Sequence, residues 1–132
     1  MQYRRLEKLG IEVSAFGMGC MRFPMKDDGQ GGREVDESIS TPIIRHAIDN
    51  GLNYVDTAYV YSDKKNEKAV AHALRDGYRE KVYLATKIPT WDIHSPEDMD
   101  RLLAEQLANL ETDHIDFYLV HSLNKGTWTK VR

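Results

Sequence analysis

"KVYLATKIPTWDIHSPEDMDRLLAEQLANLETDHIDFYLVH", residues 81–121, places two short apolar runs on either side of one amphipathic segment. The outer runs, "KVYLATK" and "HIDFYLVH", are rich in β-branched and aromatic residues and read as strands. Between them Ser95 precedes Pro96, Asp98 follows three residues after Ser95, and Met99, Leu102, Leu103, Leu107 and Leu110 recur at helical spacing. A serine cap, a proline in the first turn and an acid closing a capping box predict a helix over 95–110. Strand, helix and strand in this order predict a right-handed crossover between parallel strands.

The same unit recurs upstream. Thr41 as N-cap, Pro42 in the first turn, Ile43, Ile44, Ala47 and Ile48 on one face and Gly51 as a stop predict a helix. "NYVDTA" (53–58) follows as a strand, and residues 66–76 carry Ala69, Val70, Ala73 and Leu74 on one face, with Gly77 as the stop. Nearer the N-terminus, "QYRRLEKL" and "EVSAFGM" flank Gly10 and predict a hairpin leading into a first strand near Ala15–Gly19. The polar, glycine-bearing stretch 25–40 has no periodicity and predicts a long loop. The order is a hairpin and then βαβαβαβ, with the chain stopping about where a fourth helix would begin. This is an α/β pattern with four parallel strands and three helices. An open doubly wound sheet and part of a closed barrel both fit, but "GMGCMR" has Arg22 where a dinucleotide fingerprint needs its third glycine, which weakens the open sheet.

Composition narrows the function. The 132 residues are 41% hydrophobic and 30% charged, as in one globular unit, and a net charge of −3 from interspersed acids and bases leaves no basic face for nucleic acid. One cysteine, Cys20, excludes an intramolecular disulfide and suits a reducing cytoplasm. No histidine and cysteine set has metal-ligand spacing, so no metal site is predicted. No apolar run approaches the ~18 residues of a membrane helix, and the start is too charged for a secretory signal, so no membrane association is expected.

Three predicted strands end on a titratable side chain: Asp56, Lys87 and His121, with Tyr61 in the loop after the second strand. Taken singly, each has an ordinary explanation: a turn cap for Asp56, an interfacial phenol for Tyr61, a snorkelling lysine for Lys87 and a satisfied histidine for His121. Parallel strands, however, bring all four to one end of the sheet, where α/β proteins build their sites. A phenol titrates near ~10, and a neighbouring ammonium favours its phenolate. A carboxylate would position that ammonium, and a neutral imidazole would orient a substrate oxygen. The set suits proton transfer to a developing alkoxide, and it contains no nucleophile–base pair for hydrolysis.

On these residues the sequence resembles the aldo-keto reductase family. "YVDTAYVY", "LATK" and "YLVH" resemble the strands carrying that family's catalytic tetrad, "YRRLEKLGIEVSAFGMGCMR" resembles its N-terminal hairpin and first strand, and "NEKAVAHAL" its next helix. "LATKIPTW", "QLANLETDHIDFYLVHSLNK" and Trp128 resemble a bacterial subgroup whose longer members carry a ferredoxin-like iron–sulfur module. The resemblance implies a (β/α)8 TIM barrel that reduces aldehydes or ketones with NADPH, or alternatively NADH. Tyr61 would protonate the carbonyl oxygen, Lys87 and Asp56 would tune the tyrosine, and His121 would orient the carbonyl. Met21, Arg22 and Asp56 would approach the cofactor.

A closed barrel of this kind typically needs ~250 residues, and four strands make half of one. The expectation is therefore a partial barrel over residues 1–132, the N-terminal half of such an enzyme. A truncated form would lack most of the cofactor site and have little or no activity alone. Its fourth strand would be an open apolar edge, which predicts a homo-oligomer covering that edge. The competing expectation is a non-catalytic, barrel-derived module that binds a partner or senses a nucleotide. The family often has glycine soon after the tyrosine, whereas "YSDKKNE" follows Tyr61, so that loop is expected to differ.

Overall fold

A computed structural model describes residues 1–131. In chain order it contains β1 (Tyr3–Leu6), β2 (Ile11–Ser14), β3 (Met18–Gly19), β4 (Met25–Asp27), β5 (Arg33–Val35), α1 (Glu37–Asp49) and β6 (Tyr54–Asp56). There follow α2 (Asn66–Ala73), β7 (Tyr83–Ile88), α3 (Pro96–Asn109), β8 (Phe117–Val120) and α4 (Lys125–Val131), with short 3₁₀ turns at Arg79–Lys81 and Thr90–Asp92. β1 and β2 form the antiparallel N-terminal hairpin. The four strands β3, β6, β7 and β8 make one parallel sheet in that order. This is a partial (β/α)8 barrel, with two free sheet edges at β3 and β8.

The two faces of the sheet follow the period of two in each strand. Val55 and Leu84 point toward the helices, where they are fully buried in a core with Ile44, Ile48, Leu52, Val70, Leu74 and Leu110. Burial of each such aliphatic side chain stabilises by ~1.5–3 kcal/mol, which holds the helices on this one face. The opposite face is the barrel interior. At its floor Phe117 packs against Tyr54 and Tyr83, with ring centroids 5.2 and 6.3 Å away, and Asp56, Lys87 and His121 stand above this floor.

Several boundaries differ from expectation for local reasons. Residues 25–40 are not one loop: β4 and β5 pair as a hairpin, and α1 already starts at Glu37. Asp36 is its cap, accepting from the Ser38 backbone N–H at 3.1 Å, so Thr41 lies inside the helix rather than at its start. Pro42 is consequently internal, and its missing N–H strands the carbonyl of Ser38, which is exposed and so reachable by water. Ile43 is 44% exposed, leaving Ser40, Ile44 and Ile48 as the inward face. Gly51 does end α1, at a φ of 92°; a Cβ there would lie 2.9 Å from the Tyr3 hydroxyl. α2 ends at Ala73, three residues early, although Ala69, Val70, Ala73 and Leu74 are all buried as expected. The predicted first strand shrinks to Met18–Gly19, and the strands of 81–87 and 114–121 become Tyr83–Ile88 and Phe117–Val120. In α3 the Ser95 backbone N–H donates to Asp98 Oδ2 at 3.1 Å, the acid's half of the capping box, while Met99 faces solvent. A fourth helix, α4, is present beyond the three expected.

The core also contains polar groups. The Glu67 side chain is fully buried and accepts from Thr86 Oγ1 at 2.7 Å, Gln106 Nε2 at 2.7 Å and Asn109 Nδ2 at 3.2 Å, with no cation among these partners. Gln106, also fully buried, accepts in turn from the Tyr118 hydroxyl at 2.7 Å. Burial pushes the Glu67 carboxyl above its ordinary range, and the three donors only partly oppose that. Because the folded value is the raised one, this group favours the fold below its unfolded value of ~4.3, and that contribution is lost as pH rises through the folded value. Urea unfolding of the wild type and Glu67→Gln between pH 4 and 8 tests this. The free-energy gap between them is expected to change with pH by at most about 1.4 kcal/mol per unit, the wild type losing relative ground as pH rises. A pH-independent gap refutes the assignment.

Candidate active site

The strand register brings the four predicted residues to one end of the barrel interior. Asp56 ends β6, Lys87 is one residue from the end of β7, and His121 directly follows β8. Lys87 Nζ donates to Asp56 Oδ2 at 2.7 Å, to the Thr57 carbonyl at 2.7 Å and to the Tyr61 hydroxyl at 3.1 Å. An ammonium has three protons, and here each has an acceptor. The Tyr61 oxygen accepts from Lys87, which leaves its own O–H to point elsewhere. Burial alone would lower the Lys87 pKa, but the bonds to Asp56 and Tyr61 outweigh it and raise the group above its ordinary value, so the lysine stays charged.

His121 completes the set. Its ring lies edge-on to Tyr61 with centroids 5.9 Å apart, and against Trp91 at 5.3 Å. Burial first, and then the charge of Lys87, holds the imidazole below its ordinary pKa, so it is neutral at pH 7. Its Nδ1 is buried without a hydrogen-bond partner. Tyr61 and His121 open onto a cavity of about 510 Å³ that Met21 and Arg22 also line. All six residues expected from the sequence thus belong to one place, with Asp56 and Lys87 beneath the cavity wall. Cys20 is a neighbour without reactivity: burial, then the Asp56 carboxylate, push its thiol up to about 12.

The structure adds residues that the sequence reading missed. Thr57 supplies the third acceptor for Lys87 through its backbone, which no side-chain pattern could reveal. Asn66 and Glu67, adjacent at the start of α2, reach in two directions. Asn66 Nδ2 donates to the Cys20 carbonyl at 2.9 Å and its Oδ1 accepts from Thr57 Oγ1 at 2.7 Å, while Glu67 holds Thr86, the neighbour of Lys87. A signal for Gln106 was present: it sits four residues from both Leu102 and Leu110, at a core position of the helix.

With this geometry in view, the match to known proteins is direct: the description "Aldo/keto reductase family" covers residues 15–127. The chain belongs to the aldo/keto reductase family. It is 34% identical over 149 residues to the uncharacterized oxidoreductase YrpG of Bacillus subtilis, covering 99% of this chain and 43% of that protein. It is 34% identical over 129 residues to the aldo-keto reductase YhdN of the same organism, covering 92% and 38%. Among solved structures, an aldo-keto reductase from Klebsiella pneumoniae in complex with NADPH superposes with a TM-score of 0.73 at 30% identity, covering 89% of this chain and 38% of that one. The thermostable aldo-keto reductase Tm1743 in complex with epalrestat gives a TM-score of 0.77 at 26% identity, covering 99% and 48%. The chain spans less than half the length of each of these relatives.

The turn after Tyr61 has the backbone shape that favours glycine, the residue expected there from the resemblance. Ser62, Asp63 and Lys64 have φ of 50°, 53° and 66°, a left-handed turn made without glycine. Asn66 steadies it, its backbone N–H donating to the Tyr61 carbonyl at 3.2 Å. Ser62→Gly is expected to leave the melting temperature equal or higher, since it relieves a strain of ~1–2 kcal/mol against an added chain-entropy loss of ~0.5–1 kcal/mol. Ser62→Val, β-branched at positive φ, is expected to destabilise by ~1 kcal/mol or more. The opposite ranking in thermal melts contradicts the left-handed turn.

Proposed function

We propose that this aldo/keto reductase chain carries the proton-transfer site of an NADPH-dependent reduction of aldehydes or ketones. The observation that carries the reading is the Lys87 ammonium, bonded at once to Asp56, the Thr57 carbonyl and Tyr61. A nicotinamide cofactor, when bound, would supply the hydride. Tyr61 donates its free proton to the carbonyl oxygen as charge develops there, and the ammonium beside it stabilises the phenolate that remains until solvent returns the proton. Asp56 keeps the lysine charged and in place. Neutral His121 offers its second nitrogen to orient the carbonyl. Met21 and Arg22 line the cavity against which the nicotinamide end would rest. The choice of cofactor is supported by the aldo-keto reductases from Klebsiella pneumoniae that superpose on this chain and were crystallised with NADP or NADPH. NADH is the alternative cofactor, since the loops that would read the adenosine phosphate belong to later strands of the family's barrel. The buried, unreactive Cys20 suits a reducing cytoplasm.

The test is NADPH binding by fluorescence, followed by carbonyl-dependent NADPH oxidation. Tyr61→Phe is expected to keep cofactor affinity within about twofold and to lower turnover by at least ~10²-fold, as for loss of a general acid. Turnover indifferent to that substitution removes Tyr61 from its role. NADPH binding without turnover in the wild type favours a truncated or nucleotide-sensing module instead of a working enzyme.

The same reading includes a second copy of the chain. β8 is a free edge with Tyr118, Leu119 and Val120 36%, 38% and 39% exposed. β3 is the free edge on the other side, so two copies related by a twofold axis could set β8 of each beside β3 of the other and continue the parallel order to eight strands. Sedimentation velocity is expected to give a dimer that Val120→Lys dissociates. A monodisperse wild-type monomer refutes the pairing.

A further inference from the structure

The cavity that holds Tyr61 and His121 has another wall, contributed by the β4–β5 hairpin through Met25 and Arg33. This hairpin is tied down beside the site. Lys65, just after the left-handed turn, donates to the Arg33 carbonyl at 2.6 Å and to Asp28 Oδ2 at 3.1 Å. Asp28 in turn accepts from the backbone N–H groups of Gln30 and Gly32, both at 2.9 Å. These bonds to Gln30 and Gly32, with the Lys65 ammonium, hold the Asp28 carboxyl down to about 2, so the anchor is charged at any ordinary pH. The Arg33 guanidinium makes one hydrogen bond, from Nη2 to the Met25 carbonyl at 3.1 Å. Among the described residues neither Arg33 nor Arg22 is in an ion pair with a carboxylate. The cavity wall therefore presents two arginines against a single acid, Asp63. One of the two, Arg22, lies on the side assigned to the cofactor.

We propose that Arg33 recognises an anionic group on the carbonyl substrate, so that the site prefers oxo acids or phosphorylated aldehydes to neutral carbonyl compounds. This rests on the reading of Tyr61 and His121 as the carbonyl end of the site. A guanidinium offers a planar fork of donors that matches a carboxylate or phosphate in two parallel hydrogen bonds, and among the described residues most of the Arg33 fork has no partner. The hairpin supplies the rigidity such a contact needs, because its turn end, at Asp28 and Arg33, is fixed to the turn that follows the proton donor.

Equilibrium binding tests this without turnover. NMR titration of the whole chain compares 4-carboxybenzaldehyde with its neutral methyl ester, and glyceraldehyde 3-phosphate with glyceraldehyde. The anionic member of at least one pair is expected to bind about tenfold more tightly, ~1.4 kcal/mol, and the pair that does so identifies the anion. Raising the salt concentration narrows the gap. Arg33→Ala removes the preference while leaving the neutral ligand and NADP⁺ unchanged, and Arg33→Glu reverses it. Equal binding of both members, with Tyr61 and His121 signals shifting, overturns the role of Arg33 and leaves the carbonyl site standing. A parallel loss of NADP⁺ affinity in Arg33→Ala overturns it in favour of a cofactor contact. Failure of every ligand to shift Tyr61 or His121 refutes the carbonyl site itself, and the role of Arg33 with it.

Discussion

The Lys87 ammonium is matched on all three of its protons, and the rest of the site is arranged around that match. A half-buried cation has to recover the hydration it gives up. Here Asp56 returns a full negative charge, the Thr57 carbonyl a strong dipole and Tyr61 a hydroxyl oxygen. The three acceptors come from one strand end and the turn behind it, so the position of Lys87 relative to β6 is set by the parallel pairing of β6 and β7. Once that register is made, the charge that would stabilise a phenolate is already beside the phenol, with no reorganisation left for the moment of reaction.

A second set of polar contacts fixes the strands that carry this arrangement. Asn66 and Glu67 are fully buried at the N-terminus of α2, where an apolar residue would ordinarily lie. Asn66 ties α2 to the segments after β3 and β6, and Glu67 ties it to β7 and α3. Each reaches a residue beside a member of the proposed site: Thr57 follows Asp56, and Thr86 precedes Lys87. An apolar core tolerates small slips of one element over another. Hydrogen-bonded polar groups in a dry interior do not, because a slip leaves them unsatisfied. A buried carboxylate with no cation partner is an expensive way to lock a register, which is reason to place its benefit in geometry more than in stability.

Much of this was legible in the sequence, and the part that was not has a common cause. The βαβ order, the parallel sheet, the inward faces of α2 and α3 and the convergence of Asp56, Tyr61, Lys87 and His121 all follow from short-range periodicity and from the rule that parallel strands end on one side. The β4–β5 hairpin was hidden because its strands have three residues each, too few for alternation to show, and because its anchor, Lys65 with Asp28, is 37 residues apart in sequence. The start of α1 was misplaced because Pro42 usually marks a first turn, whereas here the Asp36 cap prevails and Pro42 lies inside the helix. Thr57 escaped because it acts through its backbone.

The composition of the barrel interior explains how half of a barrel holds its proposed site together. A parallel sheet is normally covered on both faces, and here the helices cover only one. On the other face Phe117 closes over Tyr54 and Tyr83, so large aromatic rings shelter one another where the opposite wall would stand. Above them the face becomes polar, with the Asp56–Lys87 pair bonded to each other beneath the cavity wall. Exposed apolar side chains at the free edge are Tyr118, Leu119 and Val120 of β8, with Leu123 and Trp128 beyond it. Every contact that defines the proposed tetrad lies between adjacent strands or in the turns that follow them. The geometry of the proposed tetrad is therefore carried by β6, β7 and β8 and the turns that follow them.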